Sequence, residues 1–351
     1  MGKATVAPSK LIRVLKGERV WPPPVWLMRQ AGRYLAEYRQ VRERAGSFLD
    51  LCRDPELAAR VTLQPVERFG FDAAIVFADI LLVAAALGQE LRFEDGSGPM
   101  LAPALSVAGL GVLDDAHADE SLAVVGETVG IVRRELAPEV AVIGFCGGPW
   151  TVATYMAAGG ASGDHAEARA MAYRDPAGFA AMIELVSEVS ARYLVAQARA
   201  GAGALKIFDS WAGVLPEAEF VRWVIEPTQR MVKHVRAAVP DIPIIGFPRG
   251  AGMLYERFVA ETGVDAIALD TQVPRSFGQS LQARLPVQGN VDPVALEVGG
   301  VALETAVEQA LADFCGGPYV FNLGHGIGKD TPVAHVARLV ELVRGASDPG
   351  G

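Results

Sequence analysis

The stretch AVIGFCGGPWTVATY, Ala141 to Tyr155, decides the reading of the fold. Ala141–Phe145 is a short, continuous apolar run rather than an alternating one, the pattern of a strand covered on both faces. The polar and glycine-rich segment CGGPWTVATY follows at once. Seven more runs of this kind occur, each leading into residues that carry chemistry. Val25–Met28 leads into Arg29, Ala73–Phe77 into Asp79, and Leu205–Phe208 into Asp209 and Ser210. Ile242–Phe247 leads into Arg249, Ala266–Leu269 into Asp270, Val287–Gly289 into Asn290, and Tyr319–Leu323 into Gly324 and His325.

Helical patterns lie between these runs: Asp54–Phe69, Glu120–Leu136, Pro176–Ala200, Pro216–Ala238, Met253–Thr262, Pro274–Ala283, Leu303–Phe314 and Pro332–Arg344. Several open on a cap residue followed by proline, which fits the first helical position because its missing N–H has no intrahelical partner there. Eight alternating units predict an α/β fold with a parallel sheet, and eight is the number that closes as a (β/α)8 TIM barrel. A doubly wound open sheet is the alternative. In a barrel, Arg29, Asp79, Tyr155, Ser210, Arg249, Asp270, Asn290 and His325 gather at the C-terminal rim, where such enzymes hold their active sites. Two excursions, Gln89–Asp119 and Met156–Asp175, leave from the same rim as expected cleft walls. The expected organisation is one domain over residues 1–351, with loose tails at about 1–8 and 346–351.

The chain carries a formal charge of −9 over 351 residues, which argues against a nucleic-acid surface. No segment reads as a signal peptide, and the most apolar run, Ala73 to Gly88, is interrupted by Asp79 and too short to span a bilayer. Three scattered cysteines, Cys52, Cys146 and Cys315, make no disulfide framework and fit a reducing cytoplasm. No CxxC, HxC or HExxH spacing suggests a metal site.

Against that acidic background, Arg29 to Arg44 holds five arginines and two glutamates. A local positive cluster in an acidic chain suggests an anionic ligand, since guanidinium forks match carboxylate and phosphate geometry. The competing reading is a solvated helix face on which Arg33 pairs with Glu37. On a straight helix Arg29 and Arg33 share a face and Arg42 points the opposite way, so Arg42 joins them only if the segment bends.

Six segments in order resemble the uroporphyrinogen decarboxylase family: PVWLMRQAGRYLAEYR (Pro24–Arg39), FADILLV (Phe77–Val83), GFCGGPWTVATYM (Gly144–Met156), IFDSWAG (Ile207–Gly213), QGNVDP (Gln288–Pro293) and FNLGHGI (Phe321–Ile327). The resemblance implies a homodimeric barrel that converts the four acetates of uroporphyrinogen III to methyls, giving coproporphyrinogen III, without metal or organic cofactor. It implies Asp79 and Arg29 as catalytic. It also implies substrate contacts from Arg29, Gln30, Ala31, Gly32, Arg33, Asp79, Tyr155, Ser210 and His325, with Arg42 a further cleft arginine. Ala36, Ala78 and Arg249 depart from the residues common in the family, and none of these changes removes a charged or central group. The rival readings are a cobalamin-linked methyltransferase of the same superfamily and a non-catalytic porphyrin-binding homologue. A barrel holding a sugar phosphate on the Gly324–Gly328 turn explains that turn but not the arginines.

Overall fold

The structure is a computed structural model that describes residues 9–94, 98–105 and 107–348. Nine strands run in chain order: β1 (Ala73–Ile75), β2 (Glu90–Glu94), β3 (Gly98–Ala102), β4 (Ala141–Gly147), β5 (Ala204–Asp209), β6 (Ile244–Pro248), β7 (Ala266–Ala268), β8 (Val287–Gln288) and β9 (Tyr319–Val320). Seven of them form one parallel sheet in the order β1-β4-β5-β6-β7-β8-β9. The order never reverses, whereas a doubly wound sheet turns back at a switch point, so that alternative is excluded. β2 and β3 form a separate antiparallel hairpin.

The eighth expected strand is reduced to a single residue. Val25 makes one parallel bridge to Phe321, and on its other side its carbonyl accepts the Asp72 N–H at 3.0 Å. Its own N–H donates to Asp72 Oδ2 at 2.9 Å. The segment thus sits between β9 and β1 without a ladder. Pro22, Pro23 and Pro24 lack the N–H groups a ladder needs, which accounts for the shortening.

Strand β4 is buried at all seven positions, as its unbroken apolar run requires. Helix Pro176–Ala200 docks on it through Gln197, which accepts the Phe145 N–H at 2.9 Å and donates to the Phe145 carbonyl at 3.0 Å. A buried amide satisfied at both ends fixes helix against strand without an orphaned polar group. Asp54, Asp175 and Asp292 each cap a helix whose first residue is proline, accepting from Leu57, Gly178 and Val294. One buried cluster runs from Leu11 to Val343 and joins the sheet to its helical layer.

Three expectations need correction. Pro216–Ala238 is not one regular helix: a π-helical turn at Val221–Ile225 separates Glu217–Phe220 from Glu226–Ala238. Pro227 has no N–H to offer the carbonyl one turn back, so the ladder widens before it. The excursion 89–119 contains the β2–β3 hairpin, and the strand ends there are tied to the helix Pro149–Ala158 by Leu101 N–H to Gly159 O (2.9 Å) and Leu105 N–H to Met156 O (2.9 Å). Finally, the expected loose tail is held as far as Asp348, because Trp21 Nε1 donates to Ala346 O at 3.0 Å and Arg19 pairs with Asp348. Residues 1–8 and 349–351 of the expected tails lie outside the described residues. Among the described residues, no helix is long and apolar enough to cross a membrane.

Candidate active site

The rim residues follow the C-terminal ends of the parallel strands or the Val25 bridge, with Tyr155 set further on, in the helix Pro149–Ala158 after β4. Arg29 follows the bridge with φ of +62°, a left-handed conformation that only glycine adopts freely. Bonds on both sides enforce it. Met28 N–H donates to Asn322 Oδ1 at 3.1 Å, the Met28 carbonyl accepts from Ile327 at 2.9 Å, and Gln30 N–H donates to Leu27 O at 3.0 Å. The chain then passes through turns, and helix begins only at Ala36. Arg29 and Arg33 are therefore not on a helix face, and the bend that Arg42 requires is present.

The Arg33–Glu37 pair of the competing reading does not form. Glu37 instead accepts from Arg68 at 2.6 Å. Among the described residues, none of Arg29, Arg33, Arg42 or Arg249 makes a salt bridge with a protein carboxylate; Arg42 donates to Gly46 O at the end of its own helix. None of the four is neutralised by a protein carboxylate, which leaves their charge for an external anion. The N–H groups of Ala31, Gly32 and Arg33 also meet no protein acceptor among the described residues. Consecutive free N–H groups of this kind suit a carboxylate. Gln30 differs: its side chain accepts from Leu27 and donates to Ala73 O, and its carbonyl accepts from Tyr34. It is a buried strut whose side chain is unavailable to a ligand.

Asp79 lies four residues past β1 and is half-buried, with Oδ1 accepting from Leu81 N–H at 2.8 Å. Burial holds its carboxyl above the usual range, opposed by the Leu81 bond and by the charge of Arg29. Tyr155 projects from the helix Pro149–Ala158; burial raises its phenol, and Asp79 adds to that rise while Arg29 opposes it. Arg29, Asp79 and Tyr155 thus sense one another electrostatically.

His325 completes this group from the loop after β9. The Arg29 side chain lies along that loop so closely that a Cβ on Gly326 would sit 2.4 Å from Arg29 Cδ. Burial pushes the His325 imidazole down to about 4, and Arg29 and Arg249 act in the same direction. The ring is therefore neutral near pH 7, with one donor and one acceptor nitrogen. Because its folded value lies below the ordinary 6.5, the stability it contributes is complete above pH ~6.5 and is lost as pH falls towards 4. Wild type is expected to lose roughly 1–2 kcal/mol more than His325→Gln between pH 7 and pH 5 in urea unfolding. Equal losses would show that the imidazole is solvated and free to ionise.

Ser210, half-buried just past β5, shares the rim and makes no side-chain hydrogen bond among the described residues, which leaves its hydroxyl available. Asp270 and Asn290 are committed elsewhere. Both Asp270 oxygens accept, from Gly250 N–H, Tyr255 O–H and Gln272 N–H, while Asn290 Nδ2 donates to the Asp270 and Val273 carbonyls. They shape the rim. Below it, Phe145, Phe208 and Phe247 pack edge to face at 5.6 and 6.0 Å, and the fully buried Lys206 ammonium lies 4.8–5.1 Å from the rings of Trp26, Phe208 and Phe247. Sequence reading passed over Lys206, although a lysine inside the apolar strand ALKIF was a visible signal. A groove of about 220 Å³ between the helices that carry Glu184 and Arg230 lies in the outer layer, away from the strand ends.

A family model described as uroporphyrinogen decarboxylase (URO-D) matches residues 7–346. Relatives named uroporphyrinogen decarboxylase include one from Chelativorans sp. (strain BNC1), 52% identical over 339 residues, covering 97% of this chain and 99% of that one. Another from Brucella anthropi is 51% identical and covers 96% of this chain and 98% of its own. Among solved structures, a methyltransferase from Methanosarcina mazei superposes with a TM-score of 0.79 at 22% identity, covering 95% of this chain and 97% of that one, a likeness of fold alone.

Proposed function

The chain belongs to the uroporphyrinogen decarboxylase family, and from that premise we propose how its cleft removes carbon dioxide from the acetate side chains of uroporphyrinogen III to yield coproporphyrinogen III. The observation that carries the proposal is a half-buried aspartate in the field of Arg29, a guanidinium that has no protein counterion among the described residues. The substrate is a ring of four pyrrole N–H donors bearing eight carboxylates, so it complements both features.

In this reading Asp79 accepts hydrogen bonds from the pyrrole N–H groups. A proton added at the pyrrole carbon beside an acetate makes the ring cationic. The carboxylate then leaves as carbon dioxide, and the electron pair of its C–C bond neutralises the ring as an exocyclic methylene. That carbon takes a proton to become the methyl group while the ring carbon gives its added proton back, so one proton is consumed for each carbon dioxide lost. A fixed anion beneath the ring stabilises that cation in a cleft poor in water. Arg29 and Arg33 hold acetates and propionates through charge-assisted bonds, joined by the free N–H groups of Ala31 and Gly32, and Arg42 reaches the substrate edge. Tyr155, Ser210 and the neutral His325 orient carboxylates with uncharged donors. An arginine is a poor acid, so Arg29 contributes through charge and orientation rather than by giving up a proton.

The sheet is proposed to close as a (β/α)8 barrel, with residues 24–28 in the eighth position; the bonds of Val25 to Phe321 and Asp72 support this. One domain, a homodimer and a cytoplasmic location complete the proposal. The three cysteines, none in a disulfide, suit a reducing compartment. Anaerobic incubation with uroporphyrinogen III, followed by separation of products by carboxyl number, tests the activity. Products with seven to four carboxyls are expected, and recovery of the octacarboxylate alone would leave only a binding protein. Arg33→Ala is expected to raise KM about tenfold with kcat within about threefold, the signature of lost ground-state binding. Unchanged KM would return Arg33 to the solvated surface.

A further inference from the structure

Asp209 is the last residue of β5, 1% exposed, and the functional reading gives it no task. Its surroundings are unusual in how much of two neighbouring elements they fasten together. Oδ1 accepts from the Thr151 N–H at 3.1 Å and from the Thr151 hydroxyl at 2.5 Å. The same hydroxyl oxygen accepts the Trp211 N–H at 3.0 Å, and Trp150 Nε1 donates to the Trp211 carbonyl at 3.1 Å. Gly148 N–H donates to Phe208 O at 2.8 Å. A Cβ on Gly148 would lie 2.4 Å from Asp209 Cγ, so only glycine admits the carboxyl at this distance.

The clasp joins the first turn of the helix Pro149–Ala158 to the turn that follows β5. Thr151 and Tyr155 are four residues apart and share a helix face. On the other side, Trp211 directly follows Ser210. Fixing Thr151 against Trp211 therefore fixes the rotation of the helix that aims Tyr155 and the path of the turn that presents Ser210. We propose that Asp209 is a positioning residue that registers the Tyr155 hydroxyl against the Ser210 turn, and so sets the geometry in which two uncharged donors meet the substrate. This rests on the placement of Tyr155 in the cleft.

The remaining oxygen supports the assignment. Oδ2 is buried and has no hydrogen-bond partner among the described residues, a wasteful arrangement for an ionised carboxylate. Burial raises the carboxyl to about 7, against the Thr151 bonds that lower it, and its charge adds to the burial that raises the Cys146 thiol on β4. A group retained at that cost in a site-forming turn is used for its one well-bonded oxygen. An apolar residue would fill the space without holding Thr151.

A double-mutant cycle tests the proposal. Asp209→Ala is expected to lower kcat/KM at least tenfold in the wild-type background but less than threefold in Tyr155→Phe, because the registered hydroxyl is already gone. Asp209→Asn, which keeps Oδ1, is expected to stay within threefold of wild type. Should Asp209→Ala not fold, Thr151→Val removes the clasping hydroxyl at nearly equal volume and carries the same cycle. Equal fold-losses in both backgrounds, or an Asn variant as poor as the Ala variant, would overturn the proposal and leave the functional reading intact. A Tyr155→Phe enzyme within threefold of wild type would remove Tyr155 from the site and take the proposal down with it.

Discussion

Asp79→Ala is expected to lower kcat by about 10³-fold while the protein folds as well as wild type, the scale of losing a preorganised charge aimed at the transition state. The two halves of this expectation have separate causes. The loss of rate follows because the neighbouring carboxylates cannot stand in: Asp270 spends both oxygens on Gly250, Tyr255 and Gln272, and Asp209 is closed in behind Thr151. The retained stability follows from the sign of its ionisation. Its folded value is raised above 3.8, so any stability it contributes is present below that pH and is lost as pH rises through the folded value. Above that folded value the ionised group is a net burden, and alanine relieves it at the loss of one bond from Leu81. Turnover under anaerobic conditions and a thermal melt on the same sample check both halves. Near-normal turnover would remove Asp79 from the chemistry, and a melt lowered by many degrees would make it a structural residue.

The parts of the fold that were legible in sequence are those where burial on both faces leaves no choice of residue. β4, β5 and β6 read as continuous apolar runs because nothing polar fits there, and they stand within two residues of their expected starts. The Val25 segment read equally well as a strand, yet its preceding prolines withhold the donors that pairing needs. Apolar pattern reports burial, while ladder length depends on hydrogen bonds. The β2–β3 hairpin was hidden for the opposite reason: an antiparallel pair half open to water carries a weak pattern.

Within the site, residue types were legible and commitments were not. Gln30 and Arg33 both lie in the MRQAGRY motif, but folding turns Gln30 inward to Ala73 and leaves Arg33 without a partner. Pairing of Arg33 with Glu37 was reasonable at helical spacing. It fails because helix starts only at Ala36, after which Glu37 meets Arg68 from another helix. Asp209 was invisible as anything but the residue before Ser210, since its role depends on a threonine that is distant in sequence.

Arg29→Gly is expected to lower kcat/KM about 100-fold or more, yet to melt no lower than wild type. The side chain carries the functional cost: a guanidinium without a protein counterion, laid beside His325 and within the field of Asp79, is worth roughly 1.5–3 kcal/mol for each charge-assisted bond it makes to substrate. The backbone carries the stability term. A non-glycine residue at φ of +62° costs on the order of 1 kcal/mol, which glycine removes, against a similar loss from its freer unfolded chain. Arg29→Ala separates the two, since it deletes the same charge but keeps the strained turn, and should melt below Arg29→Gly. The His325 imidazole, measured by NMR, should titrate higher in both variants because the charge that follows burial in holding it down is gone. If Arg29→Gly keeps kcat/KM within threefold, the guanidinium does not grip substrate. If the two variants melt together, the left-handed turn stores no strain, and its conformation would be a consequence of the Asn322 and Ile327 bonds alone.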